Sequence, residues 1–330
     1  MNAERNCITR EEPIPANRWV RAWFTQPLGI AAAAAGAAFL WGSAFPFIKL
    51  SYREMAIGSG DLSRQMLFAG YRFVLAALLI QLFARLARAP VGYKRGTLPG
   101  LAAIGLVQTF LQYVFFYVGL SLTTGVQGSI IAGTTSFFQL LLAHYAYRND
   151  VLTPRKWLGL LLGFAGVLAV GVSQEQFRLR FGPGEWLLLL SMFFGALGNM
   201  MAKRESARSS VLGLTSFQMG IGGAGLIAVG AVRAGLFPFE FSVASAVMLV
   251  YLALLSAGAF VLWNTVMKYN RVGSVSMYLF LIPVFGVLLS ALILGERLHA
   301  SVVAALLLVA GGIVLVNRNR SERSGDKAGE

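Results

Sequence analysis

The sequence predicts an all-α integral membrane protein with ten transmembrane helices in two inverted five-helix repeats. Three observations lead there: an apolar, charge-poor composition, ten apolar runs of spanning length, and an internal repeat with an odd number of runs in each unit. The chain has 330 residues, of which 57% are hydrophobic and only 13% charged. A soluble domain carries about 25% charged residues, which it needs to cover its surface with polar groups. Lipid is the solvent this composition suits.

A helix needs roughly 20 apolar residues to cross the hydrocarbon core. The runs that qualify cover residues 30–50, 65–86, 98–120, 124–146, 156–173, 184–202, 211–232, 245–268, 273–294 and 301–317. Short polar or Gly/Pro segments separate them, such as Arg88-Ala89-Pro90 and Phe181-Gly182-Pro183-Gly184. No connection has room for a soluble domain. The chain therefore divides into a cytoplasmic N-terminal tail (1–29), a first repeat (30–173), a second repeat (174–317) and a cytoplasmic C-terminal tail (318–330). The N-terminal residues carry Glu4, Glu11 and Glu12 before Pro13 and Pro15, which is not the charged start of a cleavable signal.

The formal charge is +14. The basic residues sit at the ends of apolar runs and form no contiguous patch, which argues against nucleic-acid binding. Their placement is an orientation signal instead. With the N-terminus in the cytoplasm, that side collects Arg18, Arg21, Arg85, Arg88, Lys94, Arg148, Lys156, Lys203, Lys268, Arg271 and Arg318, among others. The opposite side holds only Arg53, Arg64, Arg178, Arg180, Arg233 and Arg297. Basic loops stay inside, so both termini are expected in the cytoplasm of a bacterium, with the chain in its inner membrane. The single Cys7 excludes an internal disulfide, and no metal or cofactor site is expected.

The repeat is visible at two places. Asp150-Val151-Leu152-Thr153 leads into the helix Trp157–Val170, and Glu296-Arg297-Leu298-His299 leads into Leu306–Val316. Trp41-Gly42-Ser43 is echoed more weakly by Phe194-Gly195-Ala196. Five spans per unit force the two copies to insert in opposite orientations. Inverted repeats are common in secondary transporters, whose substrate site lies near the midplane where the halves meet.

Further residues resemble a known family. Trp41-Gly42-Ser43-Ala44-Phe45 with Lys49, then Arg72-Phe73, then the paired acidic-x-Leu elements at Asp150 and Glu296, are similar to the drug/metabolite transporter superfamily of EamA type. The resemblance covers residues 30–317. It implies ten helices in two inverted repeats, no ATP-binding domain, and movement of small metabolites such as amino acids or related carboxylates by alternating access, with export expected. The chain departs from the pattern in two places: Phe137 stands where the fourth span would carry a proline matching Pro283, and Asn149-Asp150 replaces Gly-Glu.

The candidate substrate-binding residues are Trp41, Lys49, Arg72, Gln108, Gln112, Tyr113, Asn199, Trp263, Asn264 and Tyr278. Lys49 and Arg72 are cations in or beside apolar runs, where a charge costs at least ~2.5–3.5 kcal/mol unless it faces protein or water. Either could attract an anionic substrate group. Lys49 could equally snorkel to headgroups, and Arg72 could equally tie two helices together. Gln108 and Gln112 share a helix face. The other polar residues should point inward, because hydrogen-bonding groups are costly against lipid. Helix-to-helix bonding is the competing role for each, and it extends to Gln127, Ser129, Thr135 and Gln139. His144 could relay protons or bond locally. No carboxylate is expected inside a span, since Asp150, Glu185 and Glu296 fall at span ends.

Gly159 and Gly163 form a G-x-x-x-G packing face, with Gly311-Gly312 its equivalent. Pro46 and Pro283 should kink their helices. Gly220-Ile221-Gly222-Gly223-Ala224-Gly225 matches a dinucleotide fingerprint but lies inside a span, so helix packing is the expected role. The expected partners are a small-molecule substrate and the lipid bilayer, with no nucleic acid, and the sequence selects no oligomeric state. The rival function is an integral-membrane enzyme of lipid or prenyl-group transfer. It lacks the carboxylate pair, metal site or nucleophile–base pair such chemistry needs.

Overall fold

The computed structural model describes residues 18–317, apart from 59, 93, 95, 124–127, 129–130, 149, 173–181 and 295–300. Gln127, Ser129, Asn149, Arg178, Arg180, Glu296, Arg297 and His299 therefore lie outside the described residues. The regular elements among those described are all helices. They are α1 (Arg18–Thr25), α2 (Pro27–Glu54), α3 (Leu62–Leu86), α4 (Leu98–Ser121), α5 (Thr134–Ala146) and α6 (Pro154–Val172). Then come α7 (Pro183–Glu205), α8 (Val211–Ala234), α9 (Val243–Tyr269), α10 (Val272–Ile293) and α11 (Ser301–Asn317). Seven of them, α2, α3, α4, α7, α8, α9 and α10, are long and apolar enough to cross a membrane. Helices α5, α6 and α11 fall on three further apolar runs. Helix α1 lies within the segment read from sequence as a polar tail.

Local chemistry sets the helix ends. Asp61 Oδ1 accepts the Arg64 N–H at 3.1 Å, Ser210 Oγ that of Gly213 at 3.0 Å, and Ser242 Oγ that of Ser245 at 3.1 Å. Each satisfies a donor that the first helical turn leaves orphaned. Pro27 and Pro183 open their helices, where a missing N–H costs nothing. Gly235, at φ +77°, closes α8 in a conformation that other residues resist.

Two helices depart from regular α geometry. Residues Gly105–Leu111 of α4 form a π-helical turn, a feature that often marks functional sites. Residues Ser276–Phe280 of α10 form a 3₁₀ turn. Pro283 follows three residues later, and its ring would clash with the carbonyl of Leu279 four residues back, so the tighter turn sits where regular helix is disfavoured.

The packing has a pattern. Helix α3 packs on α8, and α6 on α11. Helix α2 packs on α9 and α10, while α7 packs on α4 and α5. The first helix of each half thus lies against the third and fourth of the other. Glycines set the closest approaches. A methyl group added at Gly230 would lie 2.7 Å from Leu67 N, one at Gly70 2.7 Å from Ile227 N, and one at Gly223 2.9 Å from Val74 N. As α3 ascends, its partner residue on α8 descends, so the two helices run antiparallel. Helices α6 and α11 do the same: Gly159 lies against Val316 and Gly312, and Gly163 follows beside Gly312. Gly163 also abuts Phe280 of α10, whereas Gly311 faces open space. Within the dinucleotide-like run, Gly222 abuts Thr109, Gly223 abuts α3, and Gly225 abuts Phe110, so these glycines are packing positions.

The two ends of the bundle differ. One end gathers α1, the loop before α4, the α7–α8 turn and the α9–α10 turn. Ser210 N donates to Gly92 O at 2.8 Å, Lys203 Nζ donates to Met267 O at 2.7 Å, and Gly273 N donates to Asp150 Oδ2 at 2.7 Å. Lys94, Lys156, Lys203, Lys268 and Arg271 all lie here, and it is called the basic end below. At the other end Ser242 Oγ donates to Glu54 Oε1 at 2.7 Å, and the Tyr71 hydroxyl bonds to the carbonyl of Leu236.

Candidate functional site

A cavity opens between the two halves, with about 760 Å³ of free space counting its mouth. Its walls come from α2 (Trp41, Phe45, Ile48), α3 (Arg72), α4 (Gln108, Gln112, Tyr113, Phe116), α7 (Met192, Gly195, Asn199), α9 (Phe260) and α10 (Leu279, Ile282). Ala44 of α2, Ala132, and Thr135 at the start of α5 complete the lining. Apolar and aromatic walls with a few placed polar groups are the usual form of a small-ligand site.

Arg72 is the principal charge. It is 1% exposed. Its Nε donates to Ser256 Oγ at 2.7 Å and to Leu252 O at 3.2 Å, so it does tie α3 to α9. Those bonds leave the charge unbalanced. Nη1 is buried with no hydrogen-bond partner, and no carboxylate among the described residues pairs with the guanidinium. The Phe73 ring also lies over the guanidinium, its centroid 5.2 Å from Cζ. An unpaired buried cation is costly, and an anion entering the cavity would offset that cost.

Aromatic rings surround it. Phe73 and Tyr113 meet edge-on at 4.5 Å, and Tyr113 and Phe116 at 5.9 Å. On the other side Trp41 packs on Phe260 at 5.2 Å and on Trp263 at 5.8 Å. Such contacts hold the rings in one arrangement.

A chain of side-chain amides closes the floor. Gln108 Nε2 donates to Asn199 Oδ1 at 2.6 Å, Asn199 Nδ2 to Gln139 Oε1 at 2.7 Å, and Gln139 Nε2 to Ser276 Oγ at 2.8 Å. Ser276 Oγ then donates to Val272 O at 2.7 Å. The chain crosses α4, α7, α5 and α10, joining both halves and running from the cavity toward the basic end. Gly195 and Gly198 make room for it: a methyl at Gly195 would lie 2.9 Å from Gln112 Nε2, and Gly198 abuts the Gln108 side chain. At the cavity the Oε1 atoms of Gln108 and Gln112 are buried acceptors without partners.

Of the residues singled out from sequence, Trp41, Arg72, Gln108, Gln112, Tyr113 and Asn199 come together around this cavity. The other four lie elsewhere. Lys49 is exposed on α2. Trp263 is fully buried behind Trp41. Asn264 Nδ2 donates to Thr215 Oγ1 at 2.9 Å, joining α9 to α8. Tyr278 is buried in the 3₁₀ turn of α10. His144 Nδ1 accepts the Leu152 N–H at 3.2 Å, a local bond.

Three features carried little sequence signal. In the sequence Gln139 is only one of several polar residues in its run. Phe45, Phe116 and Phe260 are indistinguishable by type from lipid-facing phenylalanines. Asp150, expected at a span end, is there but only 3% exposed. It accepts the Lys156 ammonium at 2.6 Å as well as the N–H of Gly273 at the start of α10.

The profile of the EamA-like transporter family matches residues 28–172 and again 182–318. The chain belongs to the EamA-like transporter family. Relatives agree with that placement. An uncharacterised transporter of Archaeoglobus fulgidus is 26% identical over 78% of this chain and 86% of its own. One of Bacillus subtilis is 27% identical over 84% of this chain and 88% of its own. A probable amino-acid metabolite efflux pump of Escherichia coli is 23% identical over 84% of this chain and 90% of its own. A protein of known crystal structure shares the fold, with a TM-score of 0.69 over 86% of this chain and 94% of that one at 18% identity. This EamA-like protein is therefore a multi-pass membrane transporter. The rival reading as a membrane enzyme gives way to the family.

Proposed function

We propose that this EamA-like protein is a secondary transporter that exports small metabolites bearing a carboxylate, such as amino acids, by alternating access. The observation that carries this reading is the unpaired Nη1 of Arg72, buried at an aromatic cavity between the halves. A carboxylate there would accept a charge-assisted hydrogen bond and neutralise the guanidinium. The free Oε1 atoms of Gln108 and Gln112 would accept from an amine on the same ligand. The name of the Escherichia coli relative points to the same substrate class.

The architecture in this proposal is ten spans in two inverted units, residues 30–173 and 174–317. Antiparallel packing of α3 on α8 and of α6 on α11 supports it, because equivalent helices of inverted units must run in opposite senses. The exchange-symmetric partners of α2 and α7 support it too. The excess of Lys and Arg at the basic end supports a cytoplasmic location for that end and both termini, in a bacterial inner membrane. In this arrangement the amide chain and the Asp150 clamp on α10 form the inner closure. They would have to part for the cavity to load from the cytoplasm.

The test is counterflow of labelled amino acids in proteoliposomes. Saturable exchange by the natural protein and its loss in Arg72→Ala, with equal protein recovered in the vesicles, is the expected result. Undiminished exchange by Arg72→Ala would overturn the assignment of the site.

A further inference from the structure

We propose that α1 is an interfacial helix whose partner is the anionic lipid surface at the basic end of the molecule. The sequence separates its faces. At about 100° per residue, Arg18, Arg21, Ala22 and Thr25 fall on one side, and Trp19, Val20, Trp23 and Phe24 on the other. No residue of α1 is buried. Trp19 is 84% exposed and Trp23 46%. Helices of this kind lie at the boundary between headgroups and acyl chains, and indole rings favour that depth.

The connection to α2 puts α1 there. One residue, Gln26, separates it from a helix long and apolar enough to cross the membrane. Gln26 is extended, at φ −80° and ψ 147°, because Pro27 disfavours helical backbone in the residue before it. The chain bends at that point. Gly29 lets the bend close tightly, since a methyl group there would lie 2.8 Å from the Trp23 carbonyl carbon. Helix α1 thus sits where α2 emerges from the bilayer.

The charge selects the lipid. The helix carries Arg18 and Arg21 and no acidic residue. Anionic headgroups attract each such arginine, and the apolar face enters beneath them. Eight residues are too few to hold a helix in water alone, and the interface supplies the missing stabilisation.

Helix α1 is also fastened to the protein. The Phe24 carbonyl accepts from Asn270 Nδ2 at 2.8 Å, and Phe24 packs against the cluster that contains Trp263 and Met267. Asn270 belongs to the α9–α10 turn, and its own carbonyl accepts from Lys203. Lipid at α1 is therefore one residue away from the contacts that close the basic end.

The full-length chain can report this. Cys7→Ser removes its only thiol. Val20→Cys and Ala22→Cys then place a nitroxide on the apolar or the polar face while both tryptophans and both arginines stay. The labelled proteins are reconstituted in phosphatidylcholine vesicles with and without phosphatidylglycerol. With the anionic lipid, the label at position 20 should be reached by oxygen and shielded from a water-soluble nickel complex, and the label at 22 the reverse. Adding Arg18→Gln and Arg21→Gln should lower that shielding about fivefold per arginine removed. Equal nickel access at both positions in both vesicles would overturn the proposal. So would shielding of position 20 that ignores lipid charge and rises with protein density, which would mean a second copy covers the face.

Discussion

Two buried charges in this protein, Arg72 and Asp150, differ in how completely they are paired. Asp150 holds both of its partners, the Lys156 ammonium and the Gly273 N–H, at the start of α10. Arg72 has only neutral partners on Nε, nothing on Nη1, and a cavity beside it. Both lie beyond the reach of bulk water, so the difference is not one of exposure. A paired ion holds structure together. An unpaired one beside free space retains the capacity to bind. The amide chain from Gln108 to Ser276 combines both conditions, bonded along its length and open at the oxygen nearest the cavity.

Breaking the satisfied pair should produce the largest change. Asp150→Ala leaves Lys156 without its carboxylate and the first turn of α10 without its acceptor. Removing one partner of a buried pair costs about 3–5 kcal/mol, so thermal unfolding in detergent should shift down markedly, with ligand affinity altered little in the protein that remains folded. Next comes the unsatisfied charge. Arg72→Met keeps the volume and removes the cation. Losing a desolvated charge contact costs about 2–5 kcal/mol of binding, roughly 30-fold or more in Kd, while stability should hold, because an apolar isostere of a poorly compensated ion is often neutral or better. Calorimetric titration and a melting curve on the same sample separate the two effects.

Asn199→Ala cuts the amide chain at its middle and strands Gln108 and Gln139. Unsatisfied buried groups of this type cost about 1–3 kcal/mol. The expected outcome is a modest drop in melting temperature with faster exchange of amide hydrogens in the first turn of α10. Lys49→Gln should change least, within about 0.5 kcal/mol in stability and with no measurable change in ligand affinity. An effect on binding equal to that of Arg72→Met would erase the distinction between exposed and buried cation.

Much of this layout was legible in the chain itself. Nine of the apolar runs gave the helix positions within a few residues, because lipid demands unbroken hydrophobic length, whereas α5 begins at Thr134, ten residues into the run 124–146. Arg72 was visible as a charge deep in such a run, and Gln108 with Gln112 as a polar pair on one face. What escaped the sequence depends on where elements meet. Asp150 reads as a loop acid until the chain folds it against the N-terminus of α10. Gln139 gains its role only between Asn199 and Ser276. The π turn in α4 has no composition signature. Helix α1 hid in a polar segment because eight amphipathic residues never reach the length of a span.

The most direct test compares one ligand in two forms. The melting temperature of the purified protein is followed with an amino acid and with its uncharged amide, in the natural protein and in Arg72→Met. The acid should raise the melting point of the natural protein, the amide should do much less, and neither should move Arg72→Met. Equal stabilisation of both proteins by the acid would show that the buried guanidinium does not hold the substrate.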